Sequence, residues 1–433
     1  MSETQDYVQW FRGAAPYIKA HRKKTFVILV ADEVIFSDRF LGLVHDIALL
    51  NHLGIKLVLL HGSRKRIDAH LDQHGHESAF HNNVRITDAK SLPLVVQAIN
   101  EVRTVFESHL SMGLPNTPMS GSEISLIGGN FVTGMPLGII DGFDMQHSGK
   151  VRDVKHEAIG TLLEQNHVIL LSNLGYSRTG EVFNLPAEEL ACEVAISLNA
   201  DKLVYIQHDL GEGEISPSSM STADCEALLD KDQVANEMQN VLRQAIRAIQ
   251  SQVKRVHLID QQVDGGLLLE LFTRDGCGTM VTNLFYEGLR SASIDDIGGI
   301  LGLIKPLEVS GILVPRSREQ LELEIAHFHV IEKDGMIIAC IACIPDVESP
   351  VAEIACLTVH DDYQRIGLGN QLLEICERIA GQAGINRLYT LTTRSSHWFI
   401  EHGFTEDREF ELPLSKQGSY NPQRGSKVLT KSI

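Results

Sequence analysis

The chain has 433 residues, 43% of them hydrophobic and 22% charged, with a formal net charge of −18. That length exceeds one ordinary core and predicts two or three domains. The acidic balance excludes a general nucleic-acid binder, because no continuous basic surface is available to neutralise phosphates. The seven dispersed cysteines fit a reducing cytosol better than a disulfide framework. Met1 to Trp10 is too polar and acidic for a signal peptide, and Phe26–Ala31 and Ile337–Ile341 are too short to span a bilayer. A cytoplasmic protein without nucleic-acid or membrane partners is expected.

In chain order, Val8 to His21 reads as a helix. Thr25–Val30 and Ile55–Leu60 read as buried parallel strands, with helical Phe40–His52 between them. Strands follow at Ser125–Gly128, His167–Leu171, Lys202–Ile206 and Arg255–Ile259, and helices at Glu188–Leu198 and Ala235–Gln250. This alternation predicts an α/β domain with a mainly parallel sheet. The pattern changes between Tyr286 and Ser293. A helix at Ile294–Leu307 and another beginning at Leu321–Ile325 precede strands at His327–Glu332, Met336–Cys343 and Val351–Val359. Lys333-Asp334-Gly335 is a hairpin turn. An amphipathic helix carrying Leu368, Leu372, Cys376 and Ile379 and a strand at Ile385–Thr392 complete a small α+β domain. The expected division is 1–22, an N-terminal helix; 23–286, the α/β domain; 287–293, a linker; and 294–433, the α+β domain.

Gln364-Arg365-Ile366-Gly367-Leu368-Gly369 lies between a strand and a helix. Glycines there let a backbone approach a ligand, and the helix start offers free amides and a positive dipole end. The pattern resembles motif A of the GNAT acetyltransferases. That resemblance implies acetyl-CoA as co-substrate, with its pyrophosphate held at Gln364, Arg365, Gly367 and Gly369. It also implies that Glu353–Val359 splays from a neighbouring strand, so that the amides of Leu357 and Val359 bind the thioester arm and polarise its carbonyl. Glu353 is a lone carboxylate in an apolar strand. Desolvation should raise its pKa toward a general base's working range. Phe399 stands where many GNAT proteins have a tyrosine acid, which leaves Ser395, with Ser396 and His397 beside it, as a substitute, or no acid at all.

Ser419–Val428, Thr392–Phe399 and Ala352–Cys356 closely resemble the bacterial N-acetylglutamate synthase family. The resemblance implies an amino-acid N-acetyltransferase that acetylates L-glutamate. Arg316, Cys356, Arg424 and Ser426 would hold the acceptor, arginine forks being suited to carboxylates. Residues 25–285 resemble the amino acid kinase fold through Gly128–Gly134, Gly149–Arg152 and Gly175–Asn184. The expected architecture is therefore an amino acid kinase-like αβα sandwich followed by a GNAT domain. The kinases' glycine-rich phosphate loops are lost: Ala31-Asp32-Glu33 follows the first strand and His61-Gly62-Ser63-Arg64-Lys65 the second. This domain reads as catalytically silent. By the same resemblance it senses L-arginine as feedback inhibitor, at Glu270, Arg274, Gly276 and Cys277, and builds a homo-oligomer, a hexamer, through the first helix. The competing readings are an acetylglutamate kinase-type enzyme and a non-catalytic arginine sensor. No metal is expected. Cys340 and Cys343 lie three apart in a strand and so point to opposite faces, and His327 and His329 share a strand face without further ligands.

Overall fold

The computed structural model describes residues 3–114, 120–121, 124–207, 219–230, 234–273, 276–282, 288–333, 335–364, 367–417 and 422–433. Arg274, Arg365, Asp334 and the first residue of the expected linker, Glu287, lie outside them. The chain forms two units, Met1–Asn283 and Leu284–Ile433.

The first unit opens with helix α1 (Glu3–His21) and strand β1 (Thr25–Val30). Then come α2 (Phe40–His52), β2 (Lys56–His61), α3 (Arg64–Gln73) and α4 (Leu92–Leu110). Next are β3 (Leu126–Ile127), β4 (Val168–Leu171), α5 (Ala187–Ser197), β5 (Lys202–Gln207) and β6 (Ser219–Met220). It ends with α6 (Asn236–Gln250), β7 (Arg255–Asp260), α7 (Gly266–Phe272) and β8 (Thr279–Val281). Among the described residues the main sheet has the order β6-β8-β7-β5-β1-β2-β4-β3, parallel except between β7 and β8. Alternate β1 side chains enter different cores. Val27 and Leu29 pack with α5 and α6 on one face, and Phe26, Ile28 and Val30 with α2 and α4 on the other. Both sheet faces are thus covered, the condition under which parallel strands read as continuous apolar runs. A second sheet pairs Val182–Asn184, Leu174–Tyr176, Val132–Pro136 and Gly149–Val154 in that order.

Asp46 is a buried carboxyl on α2. Burial, reinforced by Asp264, pushes its pKa from 3.8 up to about 7. The folded chain therefore holds a proton that the unfolded chain releases, and stability falls as pH rises from about 4 to about 7. Asp46→Asn should stabilise this unit by about 2–4 kcal/mol at pH 8 and by much less at pH 4. Urea unfolding at the two pH values measures the difference, and equal gains at both would refute the buried neutral acid.

The second unit contains β9 (Leu289–Ser291), α8 (Ile297–Val309), α9 (Arg318–Glu324), β10 (Phe328–Lys333) and β11 (Met336–Pro345). It continues with β12 (Val351–Val359), α10 (Leu368–Gln382), β13 (Arg387–Thr392) and α11 (Ser396–Glu401). It closes with β14 (Thr405–Glu406), α12 (Leu414–Gln417) and β15 (Lys427–Ser432). The sheet order is β9-β10-β11-β12-β13-β15-β14, and only the β12–β13 pair is parallel. Cys340 packs under α8 and Cys343 under α10, on opposite faces as the strand period requires. His327 is not on a strand with His329. It ends a 3-10 turn, Ile325–His327, and β10 starts one residue later. No group of metal-holding His, Cys, Asp or Glu occurs among the described residues, and none of their helices is long and apolar enough to cross a membrane.

Candidate active site

The site begins with a fault in the sheet of the second unit. Ala355 on β12 faces Ala342 on β11, and Thr358 faces Cys340, so Cys356 and Leu357 together oppose the single Ile341. This bulge bends the strand. Cys356 sits in it with φ 50°, a left-handed conformation uncommon for a residue with a side chain. On the other edge, β12 pairs with β13 only at Val351–Arg387, Ala352–Leu388 and Glu353–Tyr389. Thr390 Oγ1 donates to Ile354 O at 2.9 Å just beyond the last pair. After that both strands line a cleft of about 1300 Å³. His360 N–H donates to Ile338 O at 2.8 Å, so strand alternation turns the amides of Leu357 and Val359 away from β11 and into the opening.

A glycine turn closes one end of the cleft. After β12 the chain makes a 3-10 turn at Asp361–Tyr363, and the Gln364 side chain ties it down by donating to Val359 O at 3.3 Å and Asp361 Oδ1 at 2.9 Å. Gly367 has φ 87° at the N-terminal boundary of α10, a geometry that favours glycine. Gly369 has a different reason to be small. A Cβ there would lie 3.2 Å from the Trp398 ring, so the absent side chain admits an indole. Gln364, Gly367 and Gly369 all line the cleft, which presents the amide-rich, positive end of a 15-residue helix.

On the other side Glu353, only 7% exposed, faces an ammonium: Lys416 Nζ lies 2.7 Å from its Oε2. Arg316 Nη1 donates to Cys356 Sγ at 2.8 Å, and its Nε to Glu324 Oε2 at 3.3 Å. Burial works against the charge on Arg316. The Cys356 sulfur, Glu324 and Glu353 outweigh it and hold the guanidinium above its ordinary pKa. Burial pushes the Cys356 thiol up to about 11. Arg424 Nη2 donates to the carbonyls of Gly311 at 2.9 Å and Ile312 at 3.2 Å. Arg316, Cys356, Arg424, Ser426, Glu353 and the exposed Ser395 all line the same cleft. Phe399 also lines it, packed edge-on to Trp398 and Phe404, and carries no proton to give.

Lys416 was missed by the sequence reading. Its segment carries no periodic signal, and only folding brings a residue of α12 to Glu353 on β12.

In the first unit, Glu270 lies at the end of a buried chain of groups. Lys202 Nζ lies 3.0 Å from His257 Nε2, and His257 Nδ1 lies 2.6 Å from Glu270 Oε1. An ammonium can only donate, so the ring proton sits on Nδ1 and is given to Glu270. Burial, with Lys202 beside it, lowers the His257 pKa to about 4. Glu270 Oε2 accepts from the amides of Cys277 at 2.9 Å and Gly278 at 2.8 Å. Burial would raise the Glu270 pKa, but His257 and these amides prevail and hold it below the usual range. Gly276 has φ 64°, and a Cβ there would overlap Glu270 Oε2. The amides of Cys277 and Gly278 are thus spent on Glu270 itself. Lys202 and His257 were not singled out from the sequence, although a histidine inside the apolar strand Arg255–Asp260 was the available signal. A separate cleft of about 890 Å³ is lined by Asp32, Glu33, Gly62, Arg64 and Lys65, residues that follow the first two strands.

A strand pair that opens over an amide-rich helix end, with a buried carboxylate in the notch, defines the second unit as an N-acetyltransferase of the GNAT class. Residues 304–404 match the Acetyltransferase (GNAT) family model, and residues 29–260 match the Amino acid kinase family. The chain belongs to the amino-acid acetyltransferase family. It is 45% identical to the amino-acid acetyltransferase of Azotobacter vinelandii over 99% of this chain and 100% of that protein. It is also 45% identical to that of Escherichia coli (strain K12), over 98% of this chain and 97% of the relative. The fold is similar to the crystal structure of N-acetylglutamate synthase from Neisseria gonorrhoeae complexed with coenzyme A and L-arginine, with a TM-score of 0.83, 35% identity and 99% of both chains covered. A second structure of that synthase, with coenzyme A and N-acetyl-glutamate, matches with a TM-score of 0.63 over the same span.

Proposed function

We propose that this acetyltransferase moves the acetyl group of acetyl-CoA to the α-amino group of L-glutamate, and that L-arginine restrains it through the first unit. The observation that carries the reading is the convergence of one buried carboxylate and two arginines on the cleft beside the split strand pair. Gln364, Gly367, Gly369 and the start of α10 would hold the pyrophosphate. The amides of Leu357 and Val359 would take the thioester arm and stabilise the developing oxyanion. Glu353 accepts a proton from the acceptor ammonium, directly or through water. The freed nitrogen attacks the thioester carbonyl, the nitrogen of the tetrahedral adduct gives up its second proton, the C–S bond breaks, and CoA leaves as a thiolate. Ser395 would relay that second proton to the thiolate, which as a tolerable leaving group otherwise departs without an acid. Arg316 and Arg424, with Cys356 and Ser426, form the acceptor site.

The first unit is the regulatory partner in this reading. Its kinase-type chemistry is lost, and Glu270, beside Gly276 and Cys277, is the carboxylate that an arginine guanidinium would share. Assembly of copies in the cytoplasm, as a hexamer, would run through α1, where Trp10 and Phe11 are exposed. Thiol release from acetyl-CoA, measured across all amino acids with and without arginine, tests the whole reading. Release with every amino acid alike, or none with glutamate, would overturn it.

Arg316→Ala and Arg424→Ala should each raise the glutamate KM by roughly 10- to 100-fold, the effect of losing a charge-assisted contact. Acetyl-CoA binding should stay near wild type. Initial-rate kinetics in both substrates check this, and equal weakening toward both would place the arginines elsewhere.

A further inference from the structure

A base that must strip a proton from an ammonium is weak while another ammonium rests on it. Glu353 is in that position, with Lys416 Nζ 2.7 Å from its Oε2 and both side chains largely out of solvent. Both residues line the cleft. An amino acid presents the complementary pair of charges, an ammonium and a carboxylate on one carbon. We propose that Glu353 and Lys416 together receive the α-amino and α-carboxylate head of the acceptor. Lys416 turns from Glu353 to the α-carboxylate, and the acceptor ammonium takes its place on Glu353. Glu353 then accepts that proton, and the nitrogen lone pair is free to attack. A zwitterion supplies both replacement charges, so it can dissolve the ion pair of the unliganded site without leaving either side chain unpaired. Arg316 contacts Cys356, three residues further along β12, and Arg424 stands across the cleft on the carbonyls of Gly311 and Ile312. These two are left for the side-chain carboxylate. The assignment rests on L-glutamate being the acceptor.

The test compares the full-length wild type with Lys416→Met on three acceptors: L-glutamate, its α-amide (isoglutamine) and L-glutamine. The wild type should prefer glutamate over both amides. Lys416→Met should lower kcat/KM for glutamate roughly 10- to 100-fold and leave that for isoglutamine nearly unchanged, so that the preference between these two collapses. Its preference for glutamate over glutamine should persist, and its KM for acetyl-CoA should not move. Arg316→Ala should show the mirror pattern. If Lys416→Met keeps the wild-type preference over isoglutamine, or loses activity equally on all three acceptors, Lys416 does not hold the α-carboxylate. If Lys416→Met melts early, Lys416→Gln, which keeps a donor to Glu353, is read by the same comparison. A wild type that ignores glutamate overturns the function proposed above, and this assignment with it.

Discussion

Glu353→Gln should lower turnover by ~10²–10⁴-fold, the usual cost of losing a general base, with acetyl-CoA binding close to wild type. The substitution removes the negative charge and the proton-accepting oxygen but keeps the size of the side chain. It also keeps a carbonyl oxygen for Lys416, which is one-quarter exposed and so tolerates a neutral partner. The fold should therefore survive. The contacts proposed for the co-substrate lie further along β12 and at α10, beyond the register at which the parallel pairing stops. Steady-state kinetics at neutral pH, with acetyl-CoA binding measured separately, decides the matter. Near wild-type turnover would remove Glu353 from the role of base.

Glu270→Ala should have an effect of comparable size on the other unit. It deletes the acceptor of the His257 ring proton and of two turn amides, and it leaves Lys202 in a buried site without the carboxylate that ends its chain. Removing one partner from such an arrangement typically costs about 3–5 kcal/mol. The thermal transition of the first unit should fall, and inhibition by arginine should be lost while basal acetyl transfer persists. Glu270→Gln should cost less stability, because its carbonyl still accepts from the turn. Calorimetry and arginine titration of the full-length enzyme provide both readouts. An unchanged transition together with an unchanged arginine response would defeat the assignment.

Strands buried on both faces were the most legible part of this chain. Thr25–Val30, Lys202–Gln207 and Arg255–Asp260 announce themselves as apolar runs because both sides of each strand meet helices. The strands of the second sheet, such as Val132–Pro136, did not, since several of their positions are half-exposed and the apolar signal is diluted. Helix α4, with a buried stripe of Val95, Ile99, Val102 and Phe106, went unmarked although its spacing is helical. The glycine turn was visible, but the reason for Gly369 was not. Its neighbour is Trp398, which sequence distance hides. The same limit applies to Glu353. The apolar character of β12 shows that its carboxylate is buried. Only the fold shows that an ammonium from α12 meets it there.

The split between β12 and β13 has one further consequence. β13 cannot swing back to finish the ladder, because its other edge is held by β15 from Arg387–Ser432 through Thr392–Lys427. The bulge at Cys356 bends β12. The ladder thus stays open from Thr390 to Thr392, and a co-substrate arm that hydrogen-bonds to Leu357 and Val359, as proposed, would behave as a temporary strand. Binding is then a local act of folding. Slowed amide exchange at these two positions on adding coenzyme A would be its signature, and truncation before Lys427 should abolish that protection by letting the gap collapse.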